Sequence, residues 1–331
     1  MKKVLLLTTG GTIASRPTQQ GLIPDITCQD IIQMLPVPRD NFLIDSRDIF
    51  SLDSSNIQPE EWQFMAEIIA EALPHYDGII ITHGTDTMAY TASALSYMLQ
   101  NLDKPIVLTG AQVPIEQMFT DAKMNLQVAF AAVNMELPGV MIAFNGKIIN
   151  GCRSVKVRTL GFDAFESISA PYMGEVFADG IHIGSKNALS AEKRMFKLKN
   201  SLCTDVFLLK LIPGTSPDIF DWLQQKHYRG IVIEAFGMGG THFERRNLIP
   251  KLKKLVANDV SVVVCSQCLY EKSDLSLYEV GRRLLECGVI PGRDMTTEAI
   301  VTKLMWALGQ TQNPTEVRQI FDTNYAGEVT L

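Results

Sequence analysis

Short, mostly apolar runs alternate along the chain with segments in which apolar residues recur at helical spacing. The apolar runs predict buried strands, and the periodic segments predict amphipathic helices. The predicted strands lie at residues 3–7, 42–44, 78–82, 105–108, 140–144, 206–211, 230–235 and 260–265. The predicted helices lie at residues 30–35, 59–73, 89–99, 121–133, 218–225, 248–257, 278–287, 297–308 and 314–321. Alternating strands and helices build parallel sheets through right-handed crossovers, so the pattern predicts an α/β fold.

The alternation is interrupted in the middle of the chain. Residues 147–153 and 155–158 are typical of a β-hairpin, with Asn150-Gly151 as its turn. A polar and basic stretch without periodicity follows, and we predict a linker at 186–204. A chain of 331 residues is too long for one ordinary core. We therefore predict two domains, a parallel-sheet α/β domain at 1–185 and a smaller, flavodoxin-like parallel α/β domain at 205–331.

The composition is that of an ordinary globular protein, with 46% hydrophobic and 20% charged residues. The net charge of −6 gives no reason to expect nucleic acid or an anionic membrane as a partner. The first apolar run stops at Thr8-Thr9-Gly10-Gly11, too soon for a secretory signal. No run approaches the roughly 20 apolar residues that a membrane-spanning helix needs. We therefore expect a cytoplasmic protein.

Six cysteines are scattered along the chain, and only Cys265 and Cys268 form a C-x-x-C pair. A zinc or redox role would require a second ligand pair or an adjacent helix N-terminus. The pair instead follows the apolar run 262–264. We expect plain core thiols, with a redox or metal pair as the alternative.

Two polar turns that carry hydroxyl groups follow predicted strands. Gly10-Gly11-Thr12 follows the first strand, and residues 82–88 join the strand at 78–82 to a helix. Ligands bind at the carboxyl ends of parallel strands, where backbone N–H groups point outward. Neither a dinucleotide fingerprint nor a Walker loop is present, so Thr12 is a candidate nucleophile. Each turn taken alone could equally be a helix cap.

A threonine hydroxyl is a poor nucleophile until a nearby group accepts its proton. His83 lies in the second turn, but we interpret it as a structural residue. Lys156 lies between two valines, and a partly desolvated lysine can be neutral and accept a proton. An adjacent carboxylate such as Asp86 would oppose that neutral form. Taken alone, Lys156 is better explained as an exposed lysine on a strand.

The two turns together resemble the paired signatures of the L-asparaginases, in the bacterial or cytoplasmic type I branch. The matching segments are Thr8-Thr9-Gly10-Gly11-Thr12-Ile13-Ala14 and His83-Gly84-Thr85-Asp86-Thr87-Met88. Further matches follow in order at 88–95, 109–112, 161–165 and 294–296, so the resemblance spans essentially the whole chain. It implies hydrolysis of L-asparagine to L-aspartate and ammonia, without cofactor or metal. It also implies a homodimer or homotetramer with its sites at the boundary between the N-terminal and C-terminal domains of adjacent protomers.

The resemblance also implies roles for individual residues. Thr12 would be the nucleophile that forms a β-aspartyl ester. Thr85 and Lys156 would handle protons and activate water, while Asp86 would hold the α-ammonium group of the substrate. Backbone N–H groups near Gly11 and Thr85 would stabilise the oxyanion. The residues implied to bind the substrate are Gly11, Asp53, Ser54, Ser55, Gly84, Thr85, Asp86 and Ala111.

The chain departs from the family pattern at two places. Leu22 occupies the position of a loop tyrosine that many relatives use to orient the nucleophile or accept its proton. Tyr278 resembles a tyrosine that in some type I relatives reaches into the site of a neighbouring protomer, and we count it among the catalytic residues. Glu234 replaces an arginine linked to allosteric asparagine binding, although Cys268 matches that region. An acidic residue would repel the effector carboxylate, so we do not expect cooperative activation.

Two other functions remain open. One is the amidotransferase subunit that releases ammonia for tRNA-bound glutamate, which usually has an extra N-terminal domain. The other is a non-catalytic amino-acid sensor, which would need Asp86 but not two activated hydroxyl groups. Glutamine is a possible weaker substrate of the hydrolase, because one added methylene gives only modest discrimination.

Overall fold

The computed structural model describes residues 1–19, 21–35, 41–184 and 195–330. The chain divides into two compact units, Met1–Asn200 and Ser201–Leu331. Residues 186–194 of the predicted linker lie outside the described residues. Within the parts that are described, no helix is both long enough and apolar enough to cross a membrane.

The first unit contains fourteen strands and four α-helices among its described residues. The strands are β1 (Lys2–Gly10), β2 (Ser15–Thr18), β3 (Gly21–Pro24), β4 (Phe42–Leu52), β5 (Gly78–Thr82), β6 (Leu99–Gln100), β7 (Pro105–Thr109), β8 (Gly139–Phe144), β9 (Lys147–Asn150), β10 (Ser154–Lys156), β11 (Phe165–Ser167), β12 (Gly174–Phe177), β13 (Gly180–Ile183) and β14 (Lys197–Leu198). The helices are α1 (Cys28–Met34), α2 (Pro59–Ala72), α3 (Met88–Met98) and α4 (Ala122–Asn134).

An eight-stranded sheet forms the centre of this unit, in the order β13-β12-β9-β8-β7-β5-β1-β4. The strands from β8 to β4 are parallel, whereas β9, β12 and β13 pair antiparallel at the other end. Every residue of β5 and β7 is buried, as expected for central strands of a sheet covered on both faces. The predicted α/β fold class is confirmed, but the large sheet is mixed rather than wholly parallel.

The second unit has a four-stranded parallel sheet whose strands follow one another in chain order. Its strands are β15 (Val206–Lys210), β16 (Gly230–Ala235), β17 (Ser261–Ser266) and β18 (Ile290–Pro291). Its helices are α5 (Asp218–Gln225), α6 (Ile249–Ala257), α7 (Glu279–Glu286), α8 (Thr297–Gln310) and α9 (Pro314–Phe321). Apolar residues from the strands and from α5, α6 and α7 share one buried core. The predicted smaller parallel α/β unit is confirmed.

The predicted hairpin with Asn150-Gly151 as its turn is wrong. β9 pairs with the preceding strand β8 through the two-residue turn Asn145-Gly146. Both turn residues have positive φ angles, 47° and 75°, as a type I′ hairpin turn requires. The Asn150 side chain instead accepts a hydrogen bond from Cys152 N and caps a short 3-10 turn. This turn leads into β10, which pairs with β11 and carries Lys156.

Candidate active site

Four polar turns meet at one edge of the large sheet. They follow β1, β4, β5 and β7, which are neighbours in the sheet and run parallel, so that their carboxyl ends lie at the same edge. The turns contain residues 10–12, 53–55, 83–87 and 110–113. The structure thereby brings the two predicted threonine turns together with the predicted substrate-binding turn and with Ala111.

Glycines allow these turns to come into backbone contact. Gly11 has a φ of 75°, and a Cβ atom there would lie 2.4 Å from both the Cα and the N of Gly84. A Cβ on Gly84 would lie 2.6 Å from the Cβ of Ser54. No side chain fits at either position without a shift of the backbone. The contact between the two glycines places their chain neighbours, Thr12 and Thr85, at one site.

Lys156, at the end of β10, is hydrogen-bonded to the turn at residues 83–87. Its Nζ donates hydrogen bonds to Thr85 Oγ1 at 2.7 Å and to Asp86 Oδ1 at 2.6 Å. The lysine side chain is only 16% exposed, whereas that of Asp86 is 63% exposed. The interpretation of Lys156 as an exposed strand lysine is therefore wrong. The ammonium group lies between a buried hydroxyl and an accessible carboxylate.

The predicted substrate-binding turn has internal hydrogen bonds and is hydrogen-bonded to the second threonine turn. The Asp53 carboxylate accepts hydrogen bonds from Ser55 N at 2.8 Å and from Ser55 Oγ at 2.6 Å. These bonds lower the pKa of Asp53, so the carboxylate is ionised at neutral pH. Ser54 Oγ accepts from Asp86 N at 3.2 Å, and Ser54 O accepts from Thr87 Oγ1 at 2.7 Å.

His83 is a buried structural residue of the second turn. Its Nδ1 lies 2.7 Å from Gly84 O, and its Nε2 lies 3.0 Å from Thr91 Oγ1. The carbonyl can only accept, so Nδ1 carries the proton and donates it. The indole N–H of Trp62 donates to Thr91 Oγ1 at 2.9 Å, leaving the threonine to donate to Nε2. Burial lowers the pKa of His83 to about 4, so the ring stays neutral and holds the Gly84 carbonyl.

This buried imidazole predicts how stability depends on pH. The pKa of His83 falls from 6.5 to about 4 on folding, so the unfolded chain binds more protons between these values. The free energy of unfolding should therefore fall as pH drops from 6.5 to 4, by up to about 1.4 kcal/mol per pH unit from this residue. Urea unfolding at a series of pH values measures the slope. His83→Asn should remove this contribution and the exposed His182→Asn should keep it; equal slopes in the wild type and His83→Asn would refute the assignment.

The remaining predicted residues occupy different surroundings. Thr12 opens the 3-10 turn Thr12–Ala14 at the mouth of the site, and Ala111 is fully buried. Leu22 lies on β3, half exposed. Tyr278 belongs to the second unit, precedes α7 and is 60% exposed, and its catalytic role stays a prediction. The carboxylate of Glu234 accepts a hydrogen bond from Thr297 Oγ1 at 2.7 Å.

The structure adds Gln112, which the sequence did not single out. Thr85 Oγ1 donates to Gln112 Oε1 at 3.3 Å. The Nε2 of the same amide donates to Thr159 O at 3.1 Å and to Gly161 O at 3.2 Å. Residues 109–112 contributed to the family resemblance only as a short motif. The partners of the Gln112 side chain lie 27 to 49 residues away in the chain, so no local pattern indicated these contacts.

Possible metal ligands and the two C-x-x-C cysteines are present in the part of the chain that the structure describes. There, no group of three or more His, Cys, Asp or Glu side chains is arranged to hold a metal ion. Cys265 is a buried thiol, as predicted, and burial raises its pKa to about 12. The same prediction is wrong for Cys268, which is exposed because it lies beyond the end of β17.

Comparisons with known proteins agree over both units. The family descriptions "Asparaginase, N-terminal" and "Glutaminase/Asparaginase C-terminal domain" match residues 3–189 and 205–321. The L-asparaginase of Thermococcus kodakarensis is 44% identical over 329 residues, 99% of each chain. A glutamyl-tRNA(Gln) amidotransferase subunit of Pyrococcus abyssi is 37% identical over 100% of this chain and 77% of that protein. A solved structure of the thermostable L-asparaginase from Thermococcus kodakarensis gives a TM-score of 0.93 at 43% identity, covering 99% of both chains.

Proposed function

The chain belongs to the asparaginase family, and from this we propose that it hydrolyses the side-chain amide of L-asparagine to L-aspartate and ammonia. The observation that carries the proposal is the Lys156 ammonium, which donates to the hydroxyl of Thr85 at 2.7 Å beside the turn that carries Thr12. This arrangement supplies a nucleophilic hydroxyl and a separate proton-handling pair at one sheet edge. Amide hydrolysis requires both.

In the first step, Thr12 Oγ1 attacks the side-chain carbonyl carbon of asparagine. The carbon–nitrogen bond breaks, the nitrogen takes up the hydroxyl proton, and ammonia leaves behind a β-aspartyl ester on Thr12. Backbone N–H groups near Gly11 and Thr85 bind the negative oxygen of the tetrahedral intermediate. Such donors are worth several kcal/mol when they are fixed before the reaction, and the contact between Gly11 and Gly84 fixes them here.

In the second step, water attacks the ester and Thr12 regains its proton. Thr85 and Lys156 orient this water and pass one of its protons to Thr12 Oγ1 as the ester bond to that oxygen breaks, since they form the hydrogen-bonded pair of the site. Asp86 presents an accessible carboxylate to the α-ammonium of the substrate, and the turn at 53–55 grips its α-amino and α-carboxylate groups. Ala111 offers its backbone carbonyl to the substrate amide. The reaction needs no cofactor or metal.

The amidotransferase subunit is the runner-up. Its support is the 37% identity to a relative described as such a subunit, of which this chain spans 77%. The higher identity to an L-asparaginase of equal length favours the free hydrolase. A non-catalytic sensor is disfavoured because binding alone does not require the bond between Lys156 and Thr85.

A homodimer or homotetramer is part of the proposal. The loops that Gln112 joins carry Met118, Phe119 and Leu160, whose side chains are between 79% and 88% exposed. Phe119 also has a φ of 61°, an unfavourable conformation for an aromatic residue. Exposed apolar side chains of this kind are typical of association surfaces, and backbone strain is typical of functional regions. The cytoplasmic location stays a prediction.

Tyr278→Phe tests the proposed replacement for the missing loop tyrosine. Removing the phenolic hydroxyl group should lower kcat for asparagine about tenfold or more, because Leu22 cannot supply a hydroxyl in its place. The control is Tyr270→Phe, an exposed tyrosine of the same unit, which should leave kcat within about twofold. Mixing Tyr278→Phe with Thr12→Ala chains should restore part of the activity if the tyrosine acts across protomers. Unchanged turnover in Tyr278→Phe would refute its role.

Steady-state ammonia release with asparagine and with glutamine tests the function. We expect the larger kcat/KM for asparagine and a hyperbolic dependence on its concentration, because Glu234 disfavours an effector carboxylate. Turnover of glutamine that exceeds that of asparagine and rises with glutamyl-tRNA would favour the amidotransferase subunit. Binding of asparagine without ammonia release would favour the sensor.

A further inference from the structure

We propose that Gln112 is a positioning residue that fixes the direction of the hydroxyl proton of Thr85. The inference rests on the proposed hydrolase function, in which Thr85 acts as a proton-handling group. It concerns the step before any substrate is bound. The side-chain amide of Gln112 takes part in three hydrogen bonds, of which it accepts one and donates two.

The orientation of the Gln112 amide follows from its partners. Its Nε2 lies 3.1 Å from Thr159 O and 3.2 Å from Gly161 O, and carbonyl oxygens can only accept hydrogen bonds. A flipped amide would face two carbonyls with its own oxygen and lose both bonds. Gln112 Oε1 must therefore point at Thr85 Oγ1 and can only accept from it.

The other partner of the Thr85 hydroxyl is a donor. Lys156 forms an ion pair with Asp86 at 2.6 Å, and the ammonium of that pair has only N–H groups to offer, so its 2.7 Å contact uses a lone pair of Thr85 Oγ1. The hydroxyl proton is left to point at Gln112, at 3.3 Å, a length common for catalytic groups before substrate binds. One lone pair of Thr85 remains, and it can accept a hydrogen bond from substrate or water. Without Gln112, the hydroxyl could rotate and present its proton to the substrate instead.

The backbone of Gln112 is itself held in place. Its N–H and that of Val113 donate to the carboxylate of Asp121 at 3.0 and 3.1 Å. Asn125 Nδ2 donates to the same carboxylate at 3.1 Å and to Gly110 O at 2.9 Å. Residues at the start of α4 thus hold the backbone of Gln112 in place, independently of Lys156. This makes Gln112 a fixed reference for the Thr85 hydroxyl.

The test compares Gln112→Met and Gln112→Glu with Gln267→Met in the full-length protein. Methionine keeps the volume and removes all three bonds, so kcat for asparagine should fall about tenfold while KM changes less than about twofold. Glutamate keeps an acceptor facing Thr85 but loses both donated bonds, so its kcat should lie above that of Gln112→Met. Gln267 donates its amide to Leu211 O and Glu234 O in the second unit, and is the matched control. Gln267→Met should lower the Tm but leave kcat within about twofold.

A purely structural role of Gln112 predicts the opposite rank. Glutamate would then be slower than methionine, because its carboxylate repels the carbonyls of Thr159 and Gly161. That order, or a kcat for Gln112→Met within twofold of the wild type, would overturn the inference. If the wild type releases no ammonia from asparagine, the proposed function fails; if it does and the variants break the rank, only the role of Gln112 fails. A variant that cannot be purified folded leaves the decision to the other one.

Discussion

Replacing Thr12 by alanine should reduce kcat for asparagine by at least about a thousandfold, because no acyl-enzyme can form without the hydroxyl. The fold should persist. Thr12 lies in a short 3-10 turn whose flanking residues are held by backbone bonds, such as that from Gly11 N to Leu52 O at 2.9 Å. Ammonia release measures the loss, and urea unfolding of the same sample verifies the fold.

Thr12→Ser is the matched control for this variant. Serine keeps a hydroxyl on the same backbone and should retain clearly more activity than alanine, although it lacks the methyl group that restricts rotation about χ1. Turnover by Thr12→Ala within about tenfold of the wild type would mean that another group attacks the amide.

Replacing Lys156 by methionine should lower kcat about a hundredfold to ten-thousandfold, the usual contribution of a positioned proton-transfer group. Methionine keeps an apolar stem at the end of β10 and removes the charge that bridges Thr85 and Asp86. Lys147→Met is the control. That lysine lies on β9 of the same unit and donates to the hydroxyl of Tyr172 at 2.9 Å, so its loss should leave kcat nearly unchanged.

Thr85→Val should reproduce the loss seen in Lys156→Met, because the two side chains form one hydrogen-bonded unit. The double variant should then be no slower than the worse single variant, as residues that act together are not additive. Losses that multiply in the double variant would show that Thr85 and Lys156 act in separate steps.

The sequence predicted that the site lies where neighbouring parallel strands end. Gly10-Gly11-Thr12 and the turn around Thr85 both follow apolar runs, and parallel strands bring such turns to one edge. The contact of Lys156 with Thr85 spans 71 residues and could not be derived from any local pattern. Only the family resemblance placed it there. The role of Gln112 was not predicted either, because its side chain bonds to residues of other loops.

Polar strands and turn positions were the weak points of the fold prediction. β4 runs over Phe42–Leu52, far beyond the predicted 42–44, because an edge strand tolerates polar residues such as Asp45 and Arg47. Two Asn-Gly pairs compete as hairpin turns, and their composition does not distinguish them. The pairing of β8 with β9 selects Asn145-Gly146. By contrast, the mostly apolar and buried strands β5 and β16 were predicted with their observed bounds.

Partition of the acyl group between water and hydroxylamine tests the central claim most directly. If both amide and ester substrates pass through the same ester on Thr12, the ratio of β-aspartyl hydroxamate to aspartate must not depend on the leaving group. We predict equal ratios from L-asparagine and from the β-methyl ester of L-aspartate, with both products lost in Thr12→Ala. A ratio that differs between the two substrates, or hydroxamate formed at an undiminished rate by Thr12→Ala, would contradict hydrolysis through a threonyl ester.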